Sequence, residues 1–366
     1  MPAYRTHHLE PRLIGKSLAD AVKFFRGSLS REAVRALILG RQVQVNGNLC
    51  VDPQQRMKPG DVVRVWDHPL AKPPDLADIR IVHLDEHVVV VDKPAGLTTM
   101  RHADDADPSR RADKQPTLDE LLPNLLAARL RAAPPPRDRD AAAHPLHRDA
   151  RAKPPRNQPR PAPPQKFRPR LPTVRPVHRL DRDTSGLMLF ALSAMAEQAL
   201  GDAFRNRRIT RSYRAVVLGH PDERTIESWF VRDRGDGLRG STADDPPPHD
   251  AQRAVTHVRP IETVGDYAIV ECRLETGRTH QIRIHLCEIG HPLCGEKLYR
   301  HCRGVPPRPD ASGAPRHALH AGEIGFVHPA TGRSLHFTSP FPPDLRDWLA
   351  RLRQAARPAS PAPPAS

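Results

Sequence analysis

Aromatic side chains are scarce in this chain of 366 residues: three Trp, four Tyr and nine Phe. Proteins that hold single strands by stacking base after base on aromatic platforms need more, so that binding mode is argued against. Cysteine is also short. Cys50, Cys272, Cys287, Cys294 and Cys302 form an odd set with no Cys-x-x-Cys pair, which indicates neither a disulfide framework nor a zinc ribbon. His291, Cys294, His301 and Cys302 lie close in sequence, but in a chain with 20 histidines scattered surface His and buried free Cys are a simpler account than a metal site. No apolar run approaches the roughly 20 residues that cross a bilayer, and residues 1–12 do not resemble a signal peptide, so a soluble, cytosolic protein is expected. Acidic residues are outnumbered, 42 Asp and Glu against 57 Lys and Arg, and the net charge of +15 points to a nucleic-acid partner.

What is abundant is proline, 42 residues, more than twice the roughly 5% of an ordinary chain. It is concentrated. Residues 131–170 hold 11 prolines and 11 Lys and Arg against three Asp, with almost no bulky apolar side chains, so a disordered insertion is expected there. The tail at 357–366 is Pro, Ala and Ser and is read the same way. The length allows two to three domains, and the organisation points to two folded ones.

The first unit spans residues 11–67, after a tail at 1–10. Ser17 is placed to cap a helix carrying Leu18, Ala21, Val22 and Phe25, and Ser30 to cap a second from Arg31 to Leu39. Leu29 and Val34 have the spacing of a hydrophobic staple, and Gly40 stands where the helix ends. Val43 and Val45 alternate with polar residues, Asn46-Gly47 marks a turn, and a strand is expected over Val62 to Trp66. Residues 11–66 carry ten Lys and Arg against four Asp and Glu, with Arg31 and Arg35 on one helix face and Arg41 just beyond. For any single Arg, a solvated helix face is the simpler account.

Residues 68–78 read as a linker, and a second domain over 79–356 carries the insertion. Strands are expected around Val82 to Leu84, Val88 to Val91, Leu187 to Leu192, Ser212 to Leu218, Ala254 to Ile261 and Ala268 to Leu274, and a helix over Ala194 to Asn206. Thr279 is placed to cap a helix ending at Gly290, although Ile282, Ile284 and Leu286 alternate as in a strand. The fold class is therefore α+β, a mostly antiparallel sheet with helices packed on it.

The most informative stretch runs from Val177 to Phe190, a polar loop with Asp181 and Asp183 beside arginines that passes straight into an apolar strand. Taken alone, Asp183 with Thr184 and Ser185 reads as turn chemistry. Four ordered motifs change the weight given to Asp181. They are Lys93-Pro94-Ala95-Gly96-Leu97, His178-Arg179-Leu180-Asp181, the run from Gly277 to His285 with Gly290-His291-Pro292, and Ala318-Leu319-His320-Ala321 with residues 325–329. In this order they resemble the RluA-type pseudouridine synthases. The string from Leu29 to Gly47 resembles the alpha-L RNA-binding domain, shared by a small-subunit ribosomal protein, tyrosyl-tRNA synthetase and many RNA-modifying enzymes. Small-subunit-type synthases, which also carry that domain, typically have Gly where this chain has His178 and lack the Gly277–His285 pattern.

The resemblance implies an isomerase that turns specific uridines of structured RNA into pseudouridine, without cofactor or metal, with RNA as partner, ribosomal RNA being the first candidate and tRNA the other. A monomer away from membranes is expected. It also implies roles. Asp181 is the catalytic carboxylate, Arg283 its cationic partner, and Tyr213 the residue associated with loss of the carbon-5 proton; where many relatives have Lys two residues before that Tyr, this chain has Arg211. Arg179 is the residue expected to fill the space left by the extruded base. Lys93, Arg278 and His280 are expected RNA or loop contacts, and Arg31, Arg35 and Arg41 RNA contacts of the first domain. His178, Gly186 and Gly277 are expected to shape loops. A catalytically silent RNA-binding factor and a metal-dependent hydrolase using His and Cys near 285–302 are the rival readings.

Overall fold

The computed structural model describes residues 4–45, 48–67, 69–70, 74–101, 116–132, 171–235, 238–302, 304–306 and 308–356. The Asn46-Gly47 turn, the insertion expected at 131–170 beyond residue 132, and the tail at 357–366 lie outside them.

The N-terminal unit orders its elements as β1 (Tyr4–His8), α1 (Leu18–Phe25), α2 (Arg31–Leu39), β2 (Val43–Val45), β3 (Asn48–Leu49) and β4 (Val62–Trp66). Both helix starts follow from their caps. Ser17 accepts from the Asp20 amide in a full capping box, and Ser30 accepts from the Ala33 amide. Helix α2 ends at Gly40, but the left-handed residue is Arg41, with φ of 61°. Leu18, Val22, Val34, Ile38, Val43 and Val65 close one core between the helices and the sheet. The reading of residues 1–10 as a tail needs correction. Strand β1 pairs antiparallel with β4, Tyr4 opposite Trp66 through to His8 opposite Val62, giving the sheet order β1-β4-β2-β3. Its polar sequence hides it, because β1 covers a strand edge rather than filling the core. Within the segment read as a linker, residues 69 and 70 are tied down: the Leu70 amide donates to the Arg41 carbonyl, and Lys297 Nζ donates to the Pro69 carbonyl at 2.8 Å.

The larger domain contains β5 (Arg80–Leu84), β6 (Val88–Lys93), α3 (Leu118–Ala132), β7 (Arg175–Pro176), β8 (Ser185–Ala191), α4 (Ala194–Arg205), β9 (Thr210–Leu218), β10 (Arg224–Val231) and β11 (Gly240–Ser241). It continues with β12 (Gln252–Val264), β13 (Tyr267–Leu274), α5 (Gln281–Glu288), β14 (Leu319–Val327), β15 (Ser334–Thr338) and α6 (Pro343–Ala355). One sheet runs β11-β10-β12-β13-β9-β14-β8-β6-β5, with β15 on β14 and β7 on β8. Its pairs are antiparallel except β14 with β8, where His320 faces Ser185 and Ala321 faces Gly186. The continuous apolar runs of β6 and β8 reflect burial on both faces. Val89, Val91, Met188 and Phe190 pack against α3 and α5, whereas Val88, Val90, Leu187 and Leu189 pack against α4.

Helix α3 has no counterpart in the sequence expectations. Leu118, Leu122 and Leu126 recur every four residues and are fully buried, but Pro123 interrupts the pattern and a Pro-rich stretch follows. The ambiguous segment after Thr279 is helical. Its N-cap is His280, not Thr279, and that residue takes a left-handed conformation (φ 59°) with no side-chain cap. The cysteine expectation also changes: Cys287 at the end of α5 and Cys302 form a disulfide, because the segment after α5 folds back beside it. Cys50, Cys272 and Cys294 are buried thiols.

Candidate active site

The loop from His178 to Thr184 lies where β8 emerges beside β14, and three anchors fix it. His178, neutral because burial pushes it down to about 3, accepts the Leu189 amide at 2.9 Å. Thr99 Oγ1 both donates to the Leu180 carbonyl (2.9 Å) and accepts from its amide (3.2 Å). Arg316, 3% exposed, donates to the Asp183 carbonyl (3.0 Å) and Ser185 Oγ (2.9 Å), and forks onto Asp344 of α6. His317 Nε2 lies 2.9 Å from Thr184 Oγ1, and His320 Nδ1 lies 3.0 Å from Ser185 Oγ. At Gly186, with φ of 119°, an added Cβ would stand 2.3 Å from the Ala321 carbonyl oxygen, so only glycine allows the parallel strands to meet.

This scaffold presents Asp181 to Arg283, whose Nη1 donates to Asp181 Oδ2 at 3.1 Å. Arg283 sits on α5 between Ile282 and Ile284 and is 5% exposed, which excludes an ordinary surface arginine. His280 approaches from the helix N-terminus, its Nε2 3.9 Å from Asp181 Oδ1 and its Nδ1 2.8 Å from the Tyr299 hydroxyl oxygen. Burial favours the neutral acid at Asp181, but the charges of His280, Arg283 and His317, with the Arg283 hydrogen bond, outweigh it and hold the carboxyl down to about 2. Burial depresses His280 and takes His317 to about 4, so of those three Arg283 is the cation that persists near neutrality. Asp181 is therefore an ionised carboxylate in a largely closed site.

A cleft of about 500 Å³ opens over this pair, large enough for a nucleotide-sized ligand. Its wall carries Arg179, Arg205, Arg207, Arg211, Arg278 and Arg283. Tyr213, on β9, lines it as well; burial raises its phenol above the ordinary value and Arg211 opposes that rise. Arg211 also lies over the Phe204 ring, 5.4 Å from its centroid. Arg179 is exposed at the rim, and Arg278, also exposed, donates from Nε to the Arg253 carbonyl at 3.2 Å.

The fold thus gathers Asp181, Tyr213, Arg283, Arg179, Arg278 and His280 around one cleft. Arg31 and Arg35 are exposed on α2 and Arg41 follows it, in the N-terminal unit and away from the cleft lining. Lys93 departs from expectation as an RNA contact. It is fully buried, and its Nζ donates to the carbonyls of Pro94 (3.0 Å), Leu97 (2.8 Å) and Arg182 (3.0 Å), so it clamps loops. Sequence reasoning passed over Glu296 and Arg316, and for Lys93 it left RNA and loop contact both open. Arg316 stands two residues before the quoted Ala318–Ala321 motif, a position that could have drawn notice. A single Glu among surface-type neighbours gives no such signal.

A family model described as RNA pseudouridylate synthase matches residues 87–288, and an S4 domain model matches 21–63. An uncharacterized RNA pseudouridine synthase, YlyB of Bacillus subtilis, is 33% identical over 89% of this chain and 90% of that protein. Ribosomal large subunit pseudouridine synthase D of Zymomonas mobilis is 31% identical over 92% of this chain and 94% of its own length. A Chloroflexus aurantiacus protein, described as an uncharacterized RNA pseudouridine synthase, is 43% identical over a shorter span, 49% of this chain and 54% of that protein. The solved structure of human RNA Pseudouridylate Synthase Domain Containing 4 shares the fold, with a TM-score of 0.50 and 22% identity over 75% of this chain and 93% of that one. With a matched region covering more than half of its residues and full-length relatives above 30% identity, the chain belongs to the RNA pseudouridylate synthase family of RNA-modifying isomerases and carries an S4 domain ahead of the catalytic one.

Proposed function

We propose that this protein isomerises specific uridines to pseudouridine in structured large-subunit ribosomal RNA, with Asp181 as the catalytic carboxylate. The observation that carries this is the ionised Asp181 paired with a buried Arg283 at the base of an arginine-lined cleft. The reaction breaks the bond between N1 of the base and C1′ of the ribose, turns the base in place, and joins C5 to C1′. The C5 proton leaves and N1 regains one, so atoms and electrons balance without a redox partner. Attack on C1′ and elimination to a glycal-like intermediate both require the same ionised carboxylate. Arg283 supplies the charge that keeps it so.

The remaining residues serve extrusion and grip. Arg179 offers a planar guanidinium to the space left in the stack, in place of the aromatic side chains the chain lacks. Arg278 and its neighbours meet phosphates, and the exposed Arg31 and Arg35 of the S4 unit, with Arg41, add affinity that carries no sequence information. Lys93 acts one layer below, through the loops. The relatives named for the large ribosomal subunit align over nearly the whole chain, which favours ribosomal RNA over tRNA. Among the described residues no helix is long and apolar enough to cross a membrane.

The test is tritium release from RNA labelled at carbon 5 of uridine. Wild-type protein should release tritium from large-subunit ribosomal RNA and Asp181→Asn should not. Wild-type protein that releases none from any cellular RNA would sink the proposal in favour of a catalytically silent RNA-binding factor. Carbodiimide primer extension on RNA from a deletion strain then identifies the uridine.

A further inference from the structure

Arg283 is shared unequally between two carboxylates. Its Nε and Nη2 fork onto Glu296, at 2.8 Å to Oε2 and 2.7 Å to Oε1, which leaves one bond, from Nη1 at 3.1 Å, for Asp181. Glu296 is itself held. It is 4% exposed, and its Oε1 also accepts the backbone amides of Lys297 and Leu298 at 2.9 Å each and of Tyr299 at 3.4 Å. A carboxylate so fully bonded cannot follow the guanidinium, so the guanidinium must follow it.

The consequence lies at the other end of the fork. A free arginine facing an aspartate tends to take both oxygens in two parallel bonds. Here the paired edge is already occupied, so Asp181 Oδ1 receives no bond from Arg283. The buried cluster holds two carboxylates and one guanidinium, and the charge left over falls on the side of Asp181.

We infer that Glu296 is a positioning residue for the reaction: it fixes Arg283 edge-on, so that Asp181 stays ionised while one of its oxygens remains outside the guanidinium's grip and available for the chemistry. The inference rests on the reading of Asp181 as the catalytic carboxylate.

Glu296→Gln keeps the shape but removes the second acceptor and the charge, which frees Arg283 to close on Asp181. The single-turnover rate of tritium release should fall about 100-fold, the scale of loss when a reacting group is misplaced by an ångström, with RNA affinity unchanged. Glu296→Asp, which keeps the charge on a shorter arm, should recover part of the rate and provides the folded variant if Glu296→Gln is unstable. In an Arg283→Lys background, Glu296→Gln should cost little more, because both act through one contact. A cost of the same size in both backgrounds, or a loss that follows the melting temperature alone, overturns the inference and makes Glu296 merely structural. A crystal structure of Glu296→Gln, or of Glu296→Asp if needed, decides the point without turnover: Arg283 shifted to two bonds with Asp181 supports it, and an unmoved Arg283 overturns it. Wild-type protein inactive on every RNA would instead remove the isomerase reading, and the crystallographic result would still stand.

Discussion

Lys93 Nζ reaches the carbonyl of Arg182, 89 residues along the chain, at 3.0 Å, and so ties the loop after β6 to the loop that carries Asp181. The same pair of loops is joined by the Gly96 amide donating to the Arg182 carbonyl at 2.8 Å and by Arg182 Nε donating to the Gly96 carbonyl at 3.1 Å. Three donated bonds use all three protons of the ammonium, although burial pushes Lys93 down to about 7. Lys93→Met should therefore lower stability by about 2–4 kcal/mol, as three carbonyls lose their donor. Thermal unfolding measures that loss. Tritium release should fall while the salt dependence of RNA affinity stays at the wild-type slope; a reduced slope would mean that Lys93 meets phosphate after all.

Tyr213 keeps its proton at neutral pH, since burial raises its phenol. The nearby Arg211 charge opposes that rise, which is the help a proton-removing role at carbon 5 would need. Tyr213→Phe should bind RNA as wild type does but release carbon-5 tritium at least about 100-fold more slowly, within the range general-base assistance contributes. A deuterium isotope effect at carbon 5, larger in the variant than in wild type, would locate the loss at that step. Equal effects would assign Tyr213 to packing the base.

Stability should decline steeply as the pH falls from about 6.5 to about 4. His285, His317 and His320 are each driven by burial to about 4, and His178 to about 3, so in that window the unfolded chain takes up protons that the folded one refuses. Each such group removes up to about 1.4 kcal/mol per pH unit. Asp181 acts in the same direction but lower: its depressed folded value contributes stability that is present above the unfolded value near 4 and is lost only toward about 2. Melting temperature against pH should show the histidine slope, reduced in His317→Gln. Activity lost at mildly acid pH would then report unfolding and not protonation of Asp181.

Removing residues 133–170 should leave catalysis intact but weaken RNA binding. The stretch from 131 to 170 alone holds eleven Lys and Arg against three Asp. Phosphate contacts contribute about 0.7–0.9 each to the slope of log affinity against log salt, so the shortened protein should show a flatter slope. Filter binding across a salt series measures it, and an unchanged slope would place those charges away from RNA.

The sequence carried the family and fold class of this protein better than the details of its scaffold. Ser17, Ser30 and the apolar residues behind them announce α1 and α2, because capping and periodicity are local. The loop from His178 to Thr184 was legible because polar turn formers meet an apolar strand there. Strand β1 was not, since its role is to cover an edge with polar side chains, and α3 was masked by Pro123 and the proline-rich run beyond it. The partnership of Glu296 with Arg283 joins residues 13 apart across a fold-back that no local pattern encodes. Lys93 was left between RNA and loop contact because lysines are almost never fully buried, and only the three convergent carbonyls make this one an exception.

The hydrogen bonds at Thr98 and Thr99 have a practical consequence. Thr98 and Thr99 accept the amides of Leu118 and Asp119 at 2.9 and 3.2 Å, which holds the chain at 98–99 against the start of α3. Closing a longer loop between such fixed posts costs only about 0.6 kcal/mol per doubling of length. A fluorophore or affinity tag inserted between residues 101 and 116 would therefore leave these two bonds, and the bond by which Thr99 holds Leu180 in the Asp181 loop, outside the inserted segment.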